Sequence, residues 1–118
     1  SWIVNVANSG DVNCPMKVEF LAKGTVTNPS LFNVNTREFI KINKALVTGE
    51  KIIVDTDFEN LSVNSYLNNV ETNAFNFIDI DSEFMELEVG DNLFRYNADT
   101  GLDRLEVSIY YTPKFLGV

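Results

Sequence analysis

Met16-Lys17-Val18-Glu19-Phe20-Leu21 sets Val18 and Phe20 on one side of an extended chain and Lys17 and Glu19 on the other, the period of two that a half-buried strand needs. The same alternation runs from Trp2 to Ala7, from Phe39 to Leu46 with Ile40 and Ile42, and from Leu105 to Tyr111 with Val107 and Ile109. Ile52-Ile53-Val54 is continuous rather than alternating. Bounded by Thr48-Gly49 and Asp55-Thr56-Asp57, it predicts a strand buried between two layers.

Asparagine punctuates these runs. Fifteen stand in the chain, among them Asn8, Asn28, Asn33, Asn35, Asn60, Asn68, Asn69, Asn92 and Asn97. Asn accepts left-handed backbone and closes turns with its own side chain, so this usage fits many short turns between short strands. No convincing helix start, internal repeat or low-complexity linker appears. The segment from Ser62 to Asn73 is the least patterned and predicts a long loop. Gly90-Asp91-Asn92 predicts the turn of a hairpin between Phe84–Val89 and Leu93–Asn97. The fold class expected is all-β: a two-sheet antiparallel β-sandwich of about eight to ten strands.

The 118 residues fit a single domain, 1–118, large enough to bury a core. The chain starts at Ser1 without methionine or the basic and apolar pattern of a signal peptide, so it is expected to be a fragment of a longer polypeptide. No apolar run nears the roughly 20 residues that span a bilayer, so no membrane insertion is expected. Cys14 is the one cysteine, so the fold must rest on packing rather than disulfides. Seventeen acidic against nine basic side chains give a formal charge of −8, which repels phosphate backbones and argues against a nucleic-acid partner.

With no histidine the chain cannot form a Ser-His-Asp or Cys-His unit or a His-based zinc site. Cys14 has no imidazole base and reads as a small, partly buried turn residue. Asp55 with Asp57, or Asp79 with Asp81 and Glu83, could supply the two acids of a glycosidase, but alternation gives the same pattern on any polar sheet face. The run from Asp79 is not an EF-hand, because Phe84 and Gly90 occupy the positions that need glycine and glutamate. No catalytic residue, metal ligand or cofactor is assigned, and a ligand-binding surface stays open. The nine Phe are read as core; Trp2, Tyr66, Tyr96, Tyr110 and Tyr111 are the rings to inspect for exposure, since a ring beside Asn or Asp can hold a sugar.

Asn8-Ser9-Gly10-Asp11 with Pro15, Asn28-Pro29, Asn33 with Thr36, Asn43, Gly49-Glu50 with Val54-Asp55-Thr56, and Ser82 with Phe84, Leu87, Gly90 and Asn92 follow one another in fixed order. With the closing Tyr111-Thr112-Pro113-Lys114-Phe115-Leu116-Gly117-Val118, this order resembles the C-terminal domain of phage distal tail proteins of siphophages and prophages. Position 50 is Glu where the family more often has Asp, and Leu61 to Asn73 departs most. The resemblance implies a non-catalytic structural component of a phage tail tip or baseplate, a galectin-like or carbohydrate-binding-module-like jelly roll hung outside a hexameric ring formed by an N-terminal domain. It implies docking to other tail-tip or receptor-binding proteins and a place in the virion after synthesis in the bacterial cytoplasm. An isolated domain would be a monomer or weak oligomer. The alternative is a carbohydrate-binding module for host cell-wall glycans.

Overall fold

The predicted strand at Val18 and Phe20 forms: Lys17–Ala22 buries Val18, Phe20 and Ala22 and turns Lys17, Glu19 and Leu21 outward. The computed structural model describes residues 2–117, so Val118 of the closing phrase lies outside the described residues. Within them the chain makes β1 (Trp2–Asn8), β2 (Lys17–Ala22), β3 (Val26–Thr27), β4 (Ser30–Asn33), β5 (Phe39–Lys41), β6 (Ala45–Leu46), β7 (Lys51–Asp55), β8 (Ser62–Leu67), β9 (Val70–Asn73), β10 (Gly90–Asn97) and β11 (Leu105–Tyr110). Helix is limited to single 3-10 turns at Phe58–Asn60, Phe75–Phe77 and Leu102–Arg104.

Two antiparallel sheets face each other. One has the order β1-β10-β4-β5, the other β11-β2-β7-β8-β9, and β3 pairs with β6 in a small third sheet. Leu31, Ile40 and Phe94 from the first sheet meet Val18, Phe20, Ile52, Val54 and Val63 from the second, with Leu46, Met16 and Leu87 closing the ends. The β-sandwich class is as the alternation predicts.

Four local expectations change. Ser62 to Asn73 is not a loop but the β8–β9 hairpin, with Leu67 paired to Val70 across Asn68-Asn69. Both asparagines have positive φ, 52° and 64°, the two-residue turn whose twist matches the flanking strands. The pattern hid it because all four residues of β9 are exposed and an inward position of β8 is Ser65.

Phe39–Leu46 splits into β5 and β6, because β5 pairs Lys41 with Ser30 while β6 pairs Ala45 with Thr27, a register shift of one residue that falls at Asn28, whose φ is 54°. The Ile52-Ile53-Val54 run lies in β7 with only Ile52 and Val54 fully buried, since Ile53 lies on the outer face. Phe84–Val89 forms no strand. Gly90 opens β10 instead of turning a hairpin, and Leu87 makes a single bridge to Cys14.

Candidate functional site

The buried polar residues are Asn8, Asn33, Glu50, Asp55, Thr56, Ser65 and Asn92, and all but Ser65 belong to the ordered phrases read from the sequence. Each braces a connection. Asn8 Oδ1 accepts the Gly10 amide at 2.9 Å while its amide donates to the carbonyls of Val12 and Leu87. Asn33 Oδ1 accepts the amides of Asn35 and Thr36. Thr56 Oγ1 accepts the Met16 amide at 2.9 Å and donates back to its carbonyl.

Asn92 replaces the missing hairpin ladder: its Oδ1 accepts from the Glu88 amide, and its Nδ2 donates to the carbonyls of Glu88 and Gly90 and reaches Val6 O at 3.2 Å. Among the described residues no buried side-chain nitrogen or oxygen lacks a partner. Desolvated groups left unpaired would each cost about 1–3 kcal/mol, so the phrases record where this sandwich must satisfy its loops.

Glu50, noted in the sequence only as standing where the family more often has Asp, is a buried charge. It is 2% exposed, and its carboxylate accepts from Lys44 Nζ at 2.8 Å, Ser65 Oγ at 2.7 Å and the Val47 amide at 3.1 Å. Burial pushes its pKa up, but the hydrogen bonds from Lys44, Ser65 and Val47 and the Lys44 charge together hold it below the usual carboxylate range. The polar Ser65 on an otherwise apolar strand face was the available signal.

The acid pairs singled out for catalysis are committed to loop geometry. Asp55 accepts the Asp57 amide on Oδ1 and the Asn60 side chain on Oδ2, and Asp57 caps the 3-10 turn at Phe58 through the Glu59 amide. Asp79 closes a turn on the Asp81 amide and accepts from the Asn43 side chain, which hold its carboxyl below the usual range. No group of three acidic, His or Cys residues among the described ones could hold a metal ion. Cys14 is more buried than expected: it is fully enclosed against Leu87, and burial pushes its thiol pKa up while Lys114 lowers it and Glu86 raises it.

Two open grooves stand out among the described residues. One, about 380 Å³, collects Lys17, Asp55, Asp57, Tyr110, Tyr111 and Lys114 at one end of the sandwich. Tyr110 and Tyr111 do not present a shared face there, since the Tyr111 hydroxyl donates to the Ala7 carbonyl. The other, about 720 Å³, lies on the outer face of the five-stranded sheet between Gly49, Lys51, Tyr66, Asn68, Asn69 and Glu71. Lys51, Tyr66 and Glu71 stand side by side across β7, β8 and β9, and the Tyr66 hydroxyl donates to Glu71 at 2.8 Å.

Aromatic exposure differs from the expectation that all Phe are core. Phe58, Phe75, Phe77 and Phe115 are exposed, the first three because they sit on 3-10 turns that bury no residue. Trp2 stacks on Tyr96 with centroids 6.5 Å apart and planes 21° off parallel.

A two-layer antiparallel sandwich whose buried polar side chains brace its own connections belongs to the class of all-β sandwich domains. A family model described as the C-terminal domain of siphovirus-type tail components matches residues 9–115, and the chain belongs to that family. It is thus a domain of a phage tail component with a structural role in the tail. Comparison with curated proteins and with solved structures gives no match. No helix among the described residues is long and apolar enough to cross a membrane.

Proposed function

We propose that residues 1–118 form the peripheral, non-catalytic domain of a longer distal tail protein, and that this domain docks neighbouring tail-tip or receptor-binding proteins in the virion. The observation that carries this reading is the commitment of Asp55, Asp57 and Asp79 to loop amides, while large apolar side chains such as Phe58, 89% exposed, stay at the surface. In this reading the ring-forming part of the parent is hexameric and the isolated domain sediments as a monomer or weak oligomer. Deleting residues 1–118 from the parent leaves ring assembly intact and removes tip proteins from the tail. Fully decorated tails after that deletion contradict it.

A second reading rests on the Tyr66 groove. A half-exposed ring beside Lys51, Glu71 and the side chains of Asn68 and Asn69 supplies an apolar plate with hydroxyl-binding groups around it, the composition that suits a neutral saccharide of a host cell wall. Titration with purified cell-wall glycans, followed by amide NMR, moves the signals of residues 66–71, and Tyr66→Ala abolishes the shifts. No change at millimolar sugar sinks this reading.

A further inference from the structure

Four strands form the edges of the two main sheets, β1 and β5 in one, β11 and β9 in the other. Unpaired strand edges invite pairing with another chain, and folded proteins blunt them by shortening, charge or cover. β5 is three residues long and covered: Asp79 and Glu83 donate their amides to the carbonyls of Lys41 and Phe39, and Ser82 Oγ accepts the Lys41 amide. β9 has four residues and carries Glu71; β11 carries Glu106, 3.9 Å from Lys23. Among the described residues the outer edge of β1 is covered only at Ala7, by the Tyr111 hydroxyl. Trp2-Ile3-Val4-Asn5-Val6-Ala7-Asn8 holds no charge, proline or glycine and pairs with β10 without a bulge over all seven residues.

The register shows which groups face outward. The Leu93 carbonyl accepts from Val34, so Leu93 points its backbone away from β1, and Asn5, directly opposite Leu93, points its own away from β10. Residues of the same parity, Ile3 and Ala7, do likewise. The Ala7 carbonyl confirms it by accepting the Tyr111 hydroxyl. Both backbone groups of Ile3 and Asn5, and the Ala7 amide, have no hydrogen bond among the described residues. Beside this row Ile3 is 62% exposed on one face and Trp2 55% exposed on the other.

We infer that the open edge of β1 takes an extended segment of a neighbouring tail protein as an added strand. Only an extended backbone matches a row of alternating donors and acceptors, and Trp2 and Ile3 require apolar residues on both of its faces. A second copy of this chain is disfavoured because it would bring two domains of formal charge −8 side by side; the incoming segment is free of acidic side chains. Tyr111 ends the row at Ala7, which fixes how far the added strand runs.

The inference rests on the docking reading and is tested by residue-resolved hydrogen exchange on the isolated chain and on assembled tails. The amides of Ile3, Asn5 and Ala7 exchange freely in the isolated chain and in the purified parent protein and slow by about tenfold or more in tails, and slowing already in the parent overturns a neighbouring protein as the occupant. Equal exchange in the isolated chain and in tails overturns the inference, and protection that grows with concentration in the isolated chain overturns the heterologous partner in favour of a second copy. Ile3→Lys and Asn5→Pro, which alter an exposed side chain and an outward amide, fold with an unchanged circular dichroism spectrum and lose the tip proteins; full decoration by both variants overturns it. Loss of tip proteins on deleting the whole domain, with the β1 amides unprotected in intact tails, leaves docking standing and removes strand addition alone.

Discussion

The Lys44 ammonium lies 2.8 Å from Oε2 of the buried Glu50 and 5.6 Å from the centre of the Phe77 ring, so one side chain ties the turn before β7 to the long connection between β9 and β10. Glu50→Gln removes the charge that Lys44, Ser65 and the Val47 amide all converge on, and lowers stability near neutral pH by about 1–3 kcal/mol in chemical denaturation. An unchanged midpoint contradicts a structural role for the pair.

The same group sets a pH dependence. Its folded pKa lies below its unfolded one, so its contribution is present above the unfolded value, about 4.3, and is lost as pH falls through the folded pKa. Thermal midpoints measured from neutral pH downward fall for the wild type through this window. For Glu50→Gln that part of the acid limb is flatter, and parallel curves count against the assignment.

Gly10 is required for space rather than for backbone freedom. A Cβ there would stand 2.6 Å from the Lys114 carbonyl oxygen and 2.9 Å from its nitrogen, backbone atoms that cannot swing aside. Gly10→Ala is expected to cost about 1–3 kcal/mol and to raise hydrogen exchange in residues 111–117 selectively. A change spread evenly over both sheets speaks against this local account.

The β8–β9 turn gives a graded test. Asn69 sits at φ 64°, so Asn69→Gly holds or raises stability while Asn69→Ala loses about 1 kcal/mol, read from denaturation midpoints. Equal effects from the two substitutions contradict a left-handed requirement.

Cys14 is enclosed, and burial pushes its thiol above the ordinary range. Thiol reagents label it only as fast as the domain unfolds. Rapid labelling in native buffer contradicts the burial.

What the sequence disclosed follows from which physical signals are local. Alternation is local, so Val18 with Phe20 and Val107 with Ile109 marked their strands. Burial on one face of a sheet is not, and β9, exposed throughout, carried no apolar period to read. Asn68-Asn69 did hold the turn signal, but without strands on either side it read as loop. The hairpin expected at Gly90 failed for a related reason: the Asn92 amide binds the Glu88 backbone and takes the place of a strand ladder, a substitution that alternation cannot register. The bonds from Asn8 to Gly10 and from Asp55 to Asp57 fit a turn reading because they act over two residues, whereas Thr56 depends on Met16, forty positions away, and Glu50 on Ser65, fifteen away.

Near the two ends of the described chain, the Asp11 amide bonds the Lys114 carbonyl and the Leu116 amide bonds the Asp11 side chain, while Tyr111 reaches Ala7. A pull applied from the C-terminal side therefore loads a small clasp before it reaches β11. On that side the domain carries its own mechanical fuse: stretched there, it first yields about Gly10 and Lys114, with β11 behind them still paired.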